Sequence, residues 1–266
     1  MIVERRWFLR AVAGCVSIGS LSAMTPRSIA SSSWPDEQMA GAFFCHADFP
    51  LNEFEGLWRE MAGLQRDLTL QLRVPAAAEP IHLFLFSQKA TYQEYLRLYF
   101  PQVPFRRALY IKDRGPGMVF AYRSVDFETD VRHESTHALL HAALPVVPLW
   151  VDEGLAEYFE TARTRRAYDS PHLSRIRWSA RFAQVPDIEQ LEGISNLADM
   201  GVDEYREAWA WVHFMLHGPA EAHEELVSFL AAINARTPPG TLSQRLQSKM
   251  PDLTERFLDH FRNWKT

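Results

Sequence analysis

His133-Glu134-Ser135-Thr136-His137, followed beyond Pro145 by Pro148-Leu149-Trp150-Val151-Asp152-Glu153-Gly154-Leu155-Ala156-Glu157-Tyr158-Phe159, is the stretch on which the reading of this chain turns. Phe127 to Ala143 has a helical pattern, with Asp126, Glu128 and Asp130 placed favourably against the positive end of the helix dipole. A four-residue step on a helix turns about 40°, so His133 and His137 project from one face and can bind a single Zn²⁺. Glu134 stands next to the first histidine, where it can serve as general base toward a water activated by the metal. Pro145 and Pro148 end this helix and start another, read as Leu149 to Arg163. Catalytic zinc usually takes three protein ligands plus water, and Glu153 is the candidate third ligand. An antiparallel helix pair would return its carboxylate to the two histidines. Glu157, one turn later on the same face, is a candidate acceptor for the outer N–H of a ligand histidine. Gly154 leaves room for a close helix contact.

Outward from this stretch, the two halves of the chain differ. Upstream, strands are expected at Ala42 to His46, Ile81 to Phe86, Arg107 to Lys112 and Met118 to Arg123, with helices at Leu51 to Leu72 and Ala90 to Tyr99. The Met118–Arg123 strand is expected to line a cleft and pair with extended substrate. Residues 31–38 are polar and read as loose. Downstream, helical patterns cover about 172–183, 203–217, 220–235, 240–249 and 252–264. The expected fold is therefore α+β. An N-terminal α/β lobe with a small mixed sheet (31–144) ends in the motif helix, and an all-helical lobe (145–266) supplies the third ligand.

The first thirty residues read as an export signal rather than as part of the fold. Glu4-Arg5-Arg6-Trp7-Phe8-Leu9-Arg10 looks like a twin-arginine signal, a weakly apolar stretch follows, and Ser28-Ile29-Ala30 offers a small-x-small cleavage pattern. Lipidation at Cys15, within Val12-Ala13-Gly14-Cys15, is a rival reading. The chain is then expected outside the cytoplasm, periplasmic or extracellular, or held at the membrane by an uncleaved N-terminal segment. Its first partner would be the twin-arginine translocation machinery. Loss of residues 1–30 removes four bases and one acid and shifts the formal net charge from −5 to −8. Cys45 would be the one cysteine left, which excludes an intrachain disulfide. The acidic balance argues against nucleic acid as a partner, and no apolar run in the mature chain is long enough for a membrane span.

The combination of His-Glu-Ser-Thr-His with Pro-Leu-Trp-Val-Asp-Glu-Gly-Leu-Ala-Glu-Tyr-Phe resembles the gluzincin zinc peptidases, which include thermolysin and the aminopeptidase N family. It is closer still to exported bacterial gluzincin-like proteins of the peptidase-MA kind, which continue to a Tyr-x-x-Ala-Trp-Ala helix, here Tyr205-Arg206-Glu207-Ala208-Trp209-Ala210. The resemblance covers about residues 80–217. It implies a thermolysin-like catalytic domain, a zinc metallopeptidase activity on peptide or protein substrates, His133, His137 and Glu153 as ligands, and Glu134 as base. The aminopeptidase signature Gly-Ala-Met-Glu-Asn is absent, since Gly115-Pro116-Gly117-Met118 lacks the acid, so endo- and exopeptidase action both stay open.

Further residues carry two readings each. Tyr205 can donate to the oxyanion of a tetrahedral intermediate, as a tyrosine does in related enzymes, or pack in the stripe Tyr205, Ala208, Trp209, Val212. His213 is a weaker oxyanion candidate or a structural histidine. His141 lies about 80° from His133 around the helix and reads as a supporting or surface residue. Arg163, Arg165 and Arg166 read as a solvated basic cluster, and Cys45 as a buried strand residue. Two non-enzymatic alternatives remain: a module that binds zinc without turnover, and a metal-free structural domain.

Overall fold

The computed structural model describes residues 34–112 and 115–265. The expected export signal, its cleavage site and Cys15 lie outside them. Among the described residues no helix is long and apolar enough to cross a membrane.

Five strands form one mixed sheet: β1 (Asp36–Ala40), β2 (Phe43–Ala47), β3 (Ile81–Phe86), β4 (Ala108–Ile111) and β5 (Met118–Tyr122), in the order β1-β2-β3-β5-β4. β2–β3 and β3–β5 pair parallel, while both edge strands pair antiparallel. The parallel pairs need crossovers, supplied by α1 (Glu55–Leu72) and by α2 (Lys89–Tyr99) with β4. Alternation along β3 sends Ile81, Leu83 and Leu85 to one face and Phe84 and Phe86 to the other. The first face joins the main core; the second is covered by Tyr92 and Leu96 of α2.

Beyond the sheet the chain is helical: α3 (Phe127–Ala143), α4 (Leu149–Phe159), α5 (Leu173–Arg181), α6 (Ile188–Gly193), α7 (Val202–His217), α8 (Ala220–Asn234), α9 (Leu242–Lys249) and α10 (Leu253–Asn263). One continuous apolar cluster runs from β1 through α3, α4 and α7 to α10. The protein is thus α+β, with a small mixed five-stranded sheet and many helices.

Four expectations are corrected. The segment read as loose ends inside β1, whose alternating exposure marks an amphipathic edge strand too polar to show as an apolar run. β5 is flanked by β3 and β4, so its backbone is already paired on both sides and cannot take up substrate; the edge strand there is β4. The second motif helix ends at Phe159, short of Arg163. Of the basic cluster, Arg163 and Arg165 are exposed as read, although Arg163 also reaches Asp67 of α1 at 2.9 Å; Arg166 is instead buried and pairs with the same acid at 2.7 Å.

Two glycines permit close backbone approaches. Gly41 turns β1 into β2 at φ +63°, and a Cβ there would lie 2.6 Å from the Ala62 carbonyl of α1. A Cβ on Gly154 of α4 would lie 2.6 Å from the Ala208 carbonyl and 2.8 Å from a Val212 methyl, both on α7. Gly154→Ala forces these helices apart and is expected to cost about 1–3 kcal/mol in urea unfolding.

The C-terminal helix docks through aromatic rings and histidines. His213 Nδ1 lies 3.0 Å from His260 Nε2, and His213 Nε2 donates to the Ala167 carbonyl. Burial pulls His213 down to about 3 and His217 and His260 to about 4, so all three are neutral in the folded protein at neutral pH. The unfolded chain takes up these protons below about pH 6.5, so stability falls as pH drops from there toward 4. Thermal unfolding between pH 7 and 4.5 should show that fall, and His260→Gln should make it shallower.

Candidate active site

Helix α3 rests on β4 and β5 on one side and against α4 on another, which leaves residues 130–140 buried all the way round. Such burial is ordinary for an apolar helix, but this stretch carries Asp130, Arg132, His133, Glu134 and His137. Helix α4 is buried from Trp150 to its end and brings Asp152, Glu153 and Glu157 to the same interface, with Glu160 just beyond it. Close packing of α4 on α7 at Gly154 fixes the depth at which the neighbouring Glu153 sits.

His133, His137 and Glu153 converge. The two Nε2 atoms lie 3.0 Å apart, and Glu153 Oε2 is 3.6 Å from the first and 3.8 Å from the second. Three ligand bonds of about 2.0–2.1 Å in tetrahedral array place their donor atoms about 3.3 Å apart, close to this triangle. The outer nitrogens point at carboxylates: His133 Nδ1 donates to Glu160 Oε2 at 2.9 Å, and His137 Nδ1 faces Asp152 Oδ1 at 3.1 Å. With both Nδ1 atoms protonated toward acids, both Nε2 atoms present lone pairs to each other and to Glu153. That arrangement is repulsive unless a proton or a cation sits among them. The donor set, two imidazoles and a carboxylate, is one that suits Zn²⁺.

The electrostatics follow from the same contacts. Burial works against charge on His137, but Asp152, Glu153 and Glu134 outweigh it and raise the imidazole to about 9. Burial also works against ionisation of Asp152, yet His137 and His141 hold its carboxyl well below the usual carboxylate range. His141 Nε2 lies 2.9 Å from Asp152 Oδ2, so His141 supports the acid that faces His137. Arg132 spans Glu60 and Glu128 and donates to the Glu160 carbonyl, tying the end of α4 to α3.

Glu157 sits in a cluster with His133 and Glu160, but its Oε2 takes His172 Nε2 at 2.9 Å. The acids that face the two outer nitrogens, Glu160 and Asp152, went unnoticed in the sequence. Their signal was present: Asp152 adjoins Glu153, and Glu160 lies seven residues on, about 20° around the helix from it. Tyr205 is buried on α7 and shares with Glu134 an electrostatic neighbour, Arg106, which the sequence reading also passed over. His213 has both ring nitrogens engaged in the C-terminal cluster, which leaves neither for an oxyanion. Trp209 and Trp211 belong to the core, and Cys45 is buried in β2, its thiol pushed up to about 12 by burial.

Residues 128–239 match a family model described as a protein of unknown function (DUF1570). The matched span takes in both motif helices. Among curated proteins, none matches the chain. Solved structures similar to it include an M1 zinc metallopeptidase from Deinococcus radiodurans and a mutant form of that enzyme, at 15% and 16% identity and a TM-score of 0.45 each. The superpositions cover 87% of this chain but 52% and 51% of theirs, so the chain spans about half the length of those proteins.

If the outer carboxylates orient the histidines for a metal, Asp152→Asn and Glu160→Gln should each weaken zinc retention about ten- to a hundredfold, read by competition with a chromogenic chelator.

Proposed function

We propose that this chain is a zinc-dependent peptidase of gluzincin type, exported by the twin-arginine route and acting on peptides or proteins outside the cytoplasm. The reading rests on one observation: the inward Nε2 atoms of His133 and His137 and an oxygen of Glu153 face one another in a dry interface while the outer nitrogens face acids. Zinc bound among them would polarise a peptide carbonyl and a water molecule.

The chain's own residues do the rest. Glu134, next to His133 on the same helix, takes the proton of the attacking water and passes it to the leaving amine. Tyr205 donates its hydroxyl hydrogen to the carbonyl oxygen as negative charge builds there. Asp152 and Glu160 keep each imidazole in the tautomer that turns its lone pair inward. Near-complete burial of His133, His137 and Glu153 keeps competing water from these groups. In this reading the sheet-bearing half carries the base and two ligands on α3, and the helical half brings the third ligand on α4.

Zinc content by atomic absorption and hydrolysis of a fluorogenic peptide library, measured together on one set of variants, test the proposal. Wild type is expected to bind one zinc and to cleave. Glu134→Ala should keep the zinc and lose at least about a hundredfold in rate. His137→Ala should lose both. Stoichiometric zinc without hydrolysis in wild type would identify a binding module instead, and absence of zinc would overturn the reading.

A further inference from the structure

A cation enters this acid-rich site from the sheet side. Arg107, at the mouth of β4, is clamped to the first turn of α3 by Asp130 at 2.5 and 2.8 Å and by Asp126 at 2.5 Å. That clamp fixes the backbone of its neighbour Arg106 beside the motif helix. Arg106 is partly buried, and its electrostatic neighbours come from four elements: Tyr205 of α7, Glu134 of α3, Tyr92 of α2 and Glu153 of α4. It therefore stands among the candidate base, the candidate oxyanion donor and the candidate third ligand.

Tyr92 supplies an independent observation. The side chain is fully buried, yet its hydroxyl has no hydrogen-bond partner among the described residues. It interacts with both Glu134 and Arg106. A buried hydroxyl left unsatisfied costs about 1–3 kcal/mol, so its retention points to an acceptor that arrives with a ligand. A guanidinium has five donors in a planar fork that matches a carboxylate in two-point fashion, and it can serve more than one acceptor at once. Glu134, Asp152 and Glu153 would repel an anionic ligand, and Arg106 is the group among these neighbours that reverses the sign on the α2–β4 side.

Resting on the peptidase reading, we propose that Arg106, with the Tyr92 hydroxyl beside it, forms a carboxylate-binding subsite next to Glu134, so that the enzyme selects peptides with a carboxylate close to the scissile bond. That carboxylate is either a free C-terminus or an Asp or Glu side chain. Arg106 acts here as a specificity residue.

The test uses N-acetylated peptide libraries in three forms: a free C-terminal acid without internal Asp or Glu, the matching C-terminal amide, and an amide carrying one Asp or Glu. Zinc-loaded wild type should favour one acid-bearing form over the neutral amide by at least about tenfold in kcat/KM, and which form wins identifies the source of the carboxylate. In Arg106→Gln that ratio should fall to about one, chiefly through KM, at unchanged zinc stoichiometry. Tyr92→Phe should lower it severalfold. Equal rates on all three forms in wild type, or a uniform loss across them in Arg106→Gln, would overturn the subsite while leaving the peptidase reading intact. Should Arg106→Gln fail to fold, Arg106→Lys decides: a severalfold weaker preference supports the subsite, and an undiminished one overturns it. Titration of the three forms into zinc-loaded Glu134→Gln by calorimetry separates the two ideas from the other side. A carboxylate preference in binding, with no cleavage by wild type, would retain the subsite and remove the peptidase.

Discussion

The structure depends on keeping ionisable side chains almost dry between α3 and α4. His133, Glu134, His137, Asp152, Glu153, Glu157 and Glu160 are each at most 6% exposed. Charge taken out of water is costly unless it is paired and hydrogen-bonded, and here five acids meet two imidazoles. The neighbours make up part of the difference: His141 on Asp152, His172 on Glu157, Arg132 at the Glu160 carbonyl and Arg106 beside Glu134. Zinc would supply two more positive charges at the point where three donors converge.

Such an interface needs stiff walls. The sheet supports α3 from one side, while α7 supports α4 through the glycine contact on the other. A shift of either helix would separate donor atoms that now lie within 4.8 Å of one another. The aromatic and histidine packing around α7 and α10 extends this support toward the C-terminus, so residues remote from the donors still help to hold Glu153 in place.

Much of this was legible along the chain. Short, nearly continuous apolar runs marked β3 and β5, and helical spacing marked α3 and α7 to within a residue or two and α1 except for its first turn, because a helix's buried face repeats every 3.6 residues. β1 and α6 escaped: the first is a polar edge strand, and the second is a six-residue helix with two buried positions, too short for a period to appear. The four-residue step from His133 to His137 carried the donor pair, since helix geometry alone puts them on one face. Asp152, Glu160 and Arg106 did not stand out, because an acid or an arginine beside a motif looks the same whether it faces a ring nitrogen, a cleft or water.

The sequence by itself determined the inner strands and the longer helices, which helix carries paired imidazoles with an adjacent acid, and where a glycine lets two helices touch. These are local matters, decided by backbone periodicity and by side-chain size at single positions. Only the tertiary structure decided which acid faces which nitrogen, that β5 is sealed between two strands while β4 forms the edge, and that Arg106 and Tyr92 come to Glu134 from elements far away in the chain. Those outcomes depend on distances between segments separated by tens of residues. Such distances are set by how the sheet and helices pack, and no spacing along the chain records them.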